Sequence, residues 1–439
     1  QHLIHSEIKF WDVVRKGPVV ISRGEGSTVY DTAGNAYLDA QGGLGLTNIG
    51  YGRREPAEAA ARQMERLMYY HTYFQFSNEP AVALATRLAE MAPEGLNRVF
   101  FTLGGAESVE TAVKFARLYQ RAQGRPQGDK IICLDQGYHG NTFGALSATG
   151  MPHHKLGFGP LVPGFIHIPA PDRFAGPYGY DDPEAGAHYA ALLEERIRQE
   201  GPETVAAFLA EPILGVGGTI VPPDDYFQHV RRICDRYGIL WIADEVMTGF
   251  GRTGADWAVS HFGAVPDMIC SAKGLTSGYL PLGAVLVHDR VVEAIAAADL
   301  PFTHGFTYAG HPVCCAAAIS NIEIYQREGL AARAAELGEQ VRAKFLALNN
   351  PYIGDVRGRG LMIGLELVRD RESRQRFDPT PEIGFAVEAG CFREGLIIGV
   401  APYRDTINLT PPLVLTEEEA DRMVTILDQV IRAEGDRRR

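Results

Sequence analysis

Through the middle of the chain, short apolar runs alternate with stretches whose apolar residues recur every three or four positions. "RVFFTL" (98–103), "KIICLD" (130–135), "VAAFLA" (205–210), "ILWIAD" (239–244), "DMICSA" (267–272) and "GAVLVH" (283–288) are the bounded apolar runs. They predict strands that are apolar on both faces. Between them, "ESVETAVKFARLYQRAQ" (107–123) sets Val109, Ala112, Val113, Ala116 and Tyr119 on one helical stripe, and "PDDYFQHVRRICDRYG" (223–238) is a second helical pattern. Strand–helix alternation of this kind predicts an α/β fold with a mostly parallel sheet covered on both sides. In such sheets ligands bind beyond the carboxyl ends of the strands.

The two ends of the chain follow another pattern. Residues 19–39 contain "DTAGNAYLD", a turn between two short strands. From residue 320 the spacing predicts one long helix, "SNIEIYQREGLAARAAELGEQVRAKFLAL", then the short strands "GLMIGLEL" and "TINLTPP" and a last helix near 416–434. This predicts a small α+β domain built from both termini. Residues 1–60 form its N-terminal part, 61–320 the large domain, and 321–439 its C-terminal part. The Gly/Pro-rich "RFAGPYGYDDPEAG" (173–186) is expected as a surface excursion.

Composition narrows the functional classes. Of 439 residues 46% are hydrophobic and 22% charged, enough for a sizeable core. Lys and Arg total 42 against 54 Asp and Glu, a net charge of −12, which argues against nucleic acid or an anionic membrane as partner. The six cysteines form no CxxC pair, so neither a disulfide framework nor a zinc site is expected, and a reducing cytoplasmic setting fits. The opening "QHLIHSEIKFW" lacks the pattern of a signal peptide, and no apolar run approaches the roughly 20 residues of a membrane helix. Gln1 stands where a Met is usual, so residues before it are expected.

Candidate chemistry sits at three strand ends. In "TLGGAESVE" a strand passes through glycines into a helix, where the N–H groups of Gly105 and Ala106 could hold an anion. In "WIADEVMTGFGRTG" a strand runs into Asp244 and Glu245. In "ICSAKGLTSGYLPLGAV" the one charge, Lys273, stands among small and apolar residues. Each alone has another reading: a strand–helix turn, a magnesium site or a mere strand end, and a lysine extending to solvent. Together, an anion cradle, a carboxylate and a desolvated amine match the phosphate, ring nitrogen and aldehyde of pyridoxal 5′-phosphate (PLP).

With those motifs in order, the sequence resembles the class III aminotransferases of the PLP-dependent type I fold. The resemblance runs from "YDTAGNAYLDAQGGLGLTNIGYG" through "YHGNTFGALSATG", "AEPILGVGG" and "DEVMTGFGRTG" to "HGFTYAGHPVCCAAA" and "TPPLVLT". "KGLTSGYLPLGAV" and "GFTYAGHP" resemble the ω-amino acid/amine–pyruvate transaminases. The resemblance implies a seven-stranded, mostly parallel sheet. It also implies an amino transfer from an amine or ω-amino acid to a keto acid such as pyruvate, ping-pong through pyridoxamine phosphate. Lys273 would carry the cofactor as an imine and shuttle the proton, and Asp244 would pair with the ring nitrogen. Tyr138 and Val246 would cover the ring faces, Gly105 and Ala106 would hold the phosphate, Glu211 would belong to the hydrogen-bonded shell near the cofactor, and His139 would sit close to Asp244.

Thr307 would reach the phosphate in a neighbouring subunit, making the enzyme a homodimer or a dimer of dimers. Gly45, where relatives carry Trp, is expected to open the substrate pocket, with Tyr73 and Phe74 as another wall. Met247 replaces a Gln common in the family. Arg404 is the candidate for a mobile arginine that takes the keto acid's carboxylate, with an exposed loop arginine as the alternative. Other chemistries on this scaffold are an aminomutase, a decarboxylating transaminase and, outside enzymes, a PLP-holding regulatory module.

Overall fold

The computed structural model describes residues 3–6, 17–378, 382–401 and 404–438. Its centre is a seven-stranded sheet in the order β4-β10-β9-β8-β7-β5-β6. The strands are β4 (Arg98–Thr102), β5 (Lys130–Leu134), β6 (Phe165–Ile168), β7 (Val205–Ala210), β8 (Leu240–Asp244), β9 (Met268–Ser271) and β10 (Gly283–Val287). β10 pairs antiparallel with β4 and β9, and the remaining pairs are parallel. The predicted strands therefore stand where the apolar runs put them.

Strand alternation explains why both faces are apolar. Ile132, Phe208, Trp241, Ala243 and Ile269 belong to the core on one face. Ile131, Cys133, Leu209, Ile242 and Cys270 belong to the core on the other. The helix Gly105–Ala122 lies on the second face and buries Val109, Ala112, Val113 and Ala116, the predicted stripe. Tyr226–Tyr237 lies on the first and ends where Gly238 adopts a left-handed conformation (φ 63°). Trp241 and Phe227 stack there with ring centroids 4.9 Å apart.

The chain's ends meet in a third core. An antiparallel meander, β1 (Ile21–Glu25), β2 (Thr28–Asp31) and β3 (Ala36–Asp39), is extended by a parallel strand, Leu396–Ile397, from the other end of the sequence. A four-stranded sheet, formed by residues 353–359, 362–367, 399–401 and 406–409, packs beside it. Leu38 and Ile49 share this core with Leu337, Ile363, Ile407 and Leu427. The long helix expected from residue 320 is in fact two, Pro312–Arg327 and Leu330–Ala347. Gly329, at φ 59°, turns the backbone out of helical geometry between them. The last helix, Glu417–Arg437, starts on a reciprocal cap in which Thr416 and Glu419 bond each other's backbone N–H.

All six cysteines are free and buried. Among the described residues no helix is long and apolar enough to cross a membrane, and no cluster of side chains could hold a metal ion.

Candidate active site

Because six strands of the sheet, all but β10, share one direction, their carboxyl ends lie along one edge. β4 leads through Gly104 into the helix that starts at Gly105, β5 is followed by Tyr138 and His139, β7 by Glu211, β8 ends on Asp244, and β9 is followed by Lys273. A cavity of about 270 Å³ lies at this edge. Gly105, Ala106, Tyr138, His139, Glu211, Asp244, Val246 and Lys273 all line it, joined by Met247 and by Val216, which sequence reasoning did not nominate.

Lys273 stands directly after the buried strand Met268–Ser271 at φ 45°, a left-handed value that a side-chain-bearing residue rarely adopts. Such backbone is held by its surroundings and concentrates at functional sites. Among the described residues no carboxylate lies within ion-pairing distance of its ammonium. Burial lowers its pKa below the usual lysine value, against the opposing fields of Glu211 and Asp244. This is the desolvated amine that the sequence context predicted.

Asp244 is almost wholly buried, with Oδ1 accepting from the N–H of Val246 at 3.1 Å. Its Oδ2 is 2.7 Å from Nδ1 of His139. That short contact between two buried side chains holds the aspartate's orientation. The adjacent Glu245 faces elsewhere. It accepts from the N–H groups of Ala258 and Val259 at 3.0 and 2.8 Å and from the Thr248 hydroxyl, bracing the turn Ala258–Phe262. Of the two acids the sequence left open, Asp244 is the one in the cavity. Glu211 accepts from the N–H groups of Tyr138 and Gly215 at 2.9 and 2.7 Å, and burial pushes its carboxyl up to about 7.

The opposite wall is the start of the helix Gly105–Ala122. A β-carbon on Gly105 would stand 2.7 Å from Val246 Cγ1, so only glycine lets the backbone approach this side. First-turn N–H groups have no acceptor within their own helix and carry the positive end of its dipole. An anion cradle, an aspartate fixed by a histidine and an unpaired amine thus surround one cavity. These groups fit the phosphate, ring nitrogen and carbonyl carbon of PLP.

Five expected residues lie outside this cavity. Thr307 is exposed, and Phe74 is 93% exposed at φ 58°. Tyr73 lines a separate cavity with His304 and Phe306 instead of walling the Lys273 site. The cause is the docking of their two loops: the Tyr69 hydroxyl donates to the Thr307 carbonyl at 2.6 Å, and the Thr72 hydroxyl to that of Ala309 at 3.2 Å. Gly45 does not leave open space, because the room in front of it holds Met247, whose Cε would be 3.0 Å from a β-carbon there.

Arg404 is not an exposed loop arginine, since only 6% of it is accessible. Its guanidinium bonds Asp172 at 2.7 Å and stands 3.5 Å from Glu366. It borders a neighbouring cavity of about 690 Å³ with Gln136, Met151, Gly217 and Arg376. Asp172 also ties down the predicted surface excursion by accepting from the N–H groups of Phe174 and Ala175 at 3.0 and 3.1 Å. No sequence signal marks this ion network, because periodicity does not distinguish a buried charge from a solvated one.

The sequence profile of the class III aminotransferases matches residues 12–431. A putrescine–pyruvate aminotransferase of Pseudomonas aeruginosa is 41% identical over 425 residues, covering 95% of this chain and 92% of its own. A thermostable (S)-enantioselective ω-transaminase from Thermomicrobium roseum superposes with a TM-score of 0.95 at 45% identity, over 99% of this chain and 96% of its own. An ω-transaminase from Pseudomonas jessenii, solved in complex with PMP, gives a TM-score of 0.96 at 35% identity, over 100% and 97% of the two chains. Together with the cavity geometry, these matches show that the chain belongs to the class III aminotransferases, enzymes that work with pyridoxal phosphate.

Proposed function

We propose that this transaminase takes the amino group of a primary amine or ω-amino acid and passes it to a keto acid such as pyruvate, in two half-reactions. The observation that carries this reading is the unpaired, desolvated Lys273 sharing one cavity with the Asp244–His139 pair. Bound there, PLP supplies the carbonyl that receives the amino group and a ring that accepts electron density. Asp244, oriented by His139, keeps a proton on the ring nitrogen. Tyr138 and Val246 cover the two ring faces, and Gly105 and Ala106 hold the phosphate through main-chain N–H groups. Lys273, with its lowered pKa, takes a proton from the donor carbon and returns it one atom away.

Arg404 is the cation assigned to the keto acid's carboxylate, which would take over the bond now made by Asp172. The dividing residues near 60 and 320 and residence in the cytoplasm belong to the same reading, the latter supported by six free thiols. The expected outcome is that adding an ω-amine bleaches the yellow holoenzyme, and adding pyruvate restores the colour and releases alanine. Bleaching without recovery would point away from a pyruvate transaminase.

We also propose that the active unit is a homodimer, or a pair of such dimers, in which Thr307, Tyr73 and Phe74 complete the partner's site. The support is one face that presents Met68, Phe74, Phe76 and Tyr308, exposed by 68%, 93%, 53% and 60%. Phe74→Asp is expected to halve the mass in light scattering and cut turnover about 10-fold or more. An unchanged mass with full activity would remove this face from the interface.

A further inference from the structure

Met247 reaches the Lys273 cavity from the turn that follows Asp244. Two glycines from distant parts of the chain make room for it. A β-carbon on Gly45 would lie 3.0 Å from its Cε and 3.6 Å from its Cγ. One on Gly215 would lie 2.2 Å from its Sδ, with Met362 Cε at 3.3 Å and Glu211 Oε2 at 3.4 Å.

The two glycines differ in backbone. Gly45 closes a run of four left-handed residues, Gly42 to Gly45, at φ 58°, 56°, 77° and 74°. Asp39 holds that run by accepting from the N–H groups of Gln41, Gly42 and Gly43 at 3.1, 2.9 and 2.8 Å. Gly215 is not among the positive-φ glycines, so a side chain there is opposed only by its neighbours, chiefly the thioether. Methionine is unbranched and rotates about three bonds, which makes it a wall that can be displaced.

We propose that Met247, and not the residue at position 45, sets the size limit for the donor's apolar substituent, and that the thioether yields to admit primary amines bearing a bulky aryl or branched alkyl group. The proposal rests on the transaminase function proposed above and names its donor class. Met247→Ala empties the wall. Gly215→Ala drives the sulfur into the cavity. In the double variant the new methyl has no sulfur to push, so the two effects must not add.

The test uses the PLP-loaded enzyme with isopropylamine as the small donor and a naphthylethylamine as the bulky one. Calorimetric binding of acetylnaphthalene, the bulky ketone product, provides a readout independent of turnover. The ratio of kcat/KM for bulky over small donor is expected to rise about 10-fold or more in Met247→Ala and to fall about as much in Gly215→Ala, the scale on which apolar pockets discriminate. The double variant is expected within about 3-fold of Met247→Ala, and ketone affinity should follow the same order.

Ratios for Met247→Ala within 2-fold of the parent, or additive effects in the double variant, overturn the proposal. If Met247→Ala does not fold, Met247→Leu, close in volume but branched and stiffer, is expected to lower the ratio about 3-fold, and no change overturns it. Failure of the parent to make alanine from either donor would end the functional reading. The ketone affinities of the variants would still decide this one.

Discussion

Lys273→Ala is expected to abolish turnover without weakening the fold. A positioned proton-transfer group contributes about 10²–10⁴-fold by itself. Lys273 is also assigned the covalent link to the cofactor, so the combined loss should exceed about 10⁴-fold. Loss of a structural lysine would look different. The amine has no ion-pair partner among the described residues and is held in a left-handed conformation with its charged form disfavoured by burial. In the cofactor-free protein, removing it relieves an uncompensated desolvation, so the thermal midpoint of that form should stay level or rise.

Lys273→Arg should stay inactive although it keeps the charge, because a guanidinium does not give up its proton near neutrality. Borohydride reduction of the yellow enzyme followed by peptide mapping should tag Lys273 alone. A variant retaining more than about 1% of parental activity, or a tag on another lysine, would displace this residue from the centre of the chemistry.

Glu366→Gln is expected to be the most destabilising single change outside the cofactor site. Glu366 is fully buried on the strand Met362–Leu367. Its carboxylate accepts from Arg357 at 2.6 Å, Arg376 at 2.8 Å and the Thr406 hydroxyl at 2.7 Å, with Arg404 at 3.5 Å. Burial would raise its pKa, but Arg357, Arg404 and Arg376 overcome that and hold it at about 2. A neutral amide of the same shape leaves buried guanidiniums short of countercharge, which costs about 3–5 kcal/mol in comparable buried pairs.

The pH dependence has a definite sign. The folded pKa lies below the unfolded one, so the carboxylate's contribution is complete above about pH 4.5 and disappears as pH falls toward 2. The gap between parent and variant in denaturant midpoint should therefore close over that window, by on the order of 3 kcal/mol. A gap independent of pH would mean that Glu366 acts by shape and not by charge.

Much of the scaffold was legible because it depends on local periodicity. "VAAFLA" is the strand Val205–Ala210, residue for residue. The stripe Val109, Ala112, Val113 and Ala116 is the buried face of its helix. Cofactor-site residues were legible for a related reason: in a parallel sheet, whatever follows a strand arrives at the common edge, so Asp244 and Lys273 had to lie close together. What was not legible are the contacts whose partners come from elsewhere in the chain. The helix expected from residue 320 breaks at Gly329, a glycine inside an otherwise helical pattern. Arg404 reads as a loop residue in sequence, yet it is buried against Asp172, more than two hundred residues away. Tyr73 and Phe74 are carried out of the Lys273 cavity by contacts with the loop around Thr307.

The sequence by itself determined the alternating strands and helices, and the arrival of Gly105, Asp244 and Lys273 at one edge of the sheet. These follow from side-chain spacing and from the cost of placing a charge in apolar surroundings, both of which are local. Only the tertiary structure decided that Arg404 is buried against Asp172, that three arginines converge on Glu366, and that Met247 stands against Gly45. Each of those depends on which distant segments pack together. Packing selects among many sequence-compatible contacts by volume and charge balance in three dimensions, and a one-dimensional pattern does not record that selection.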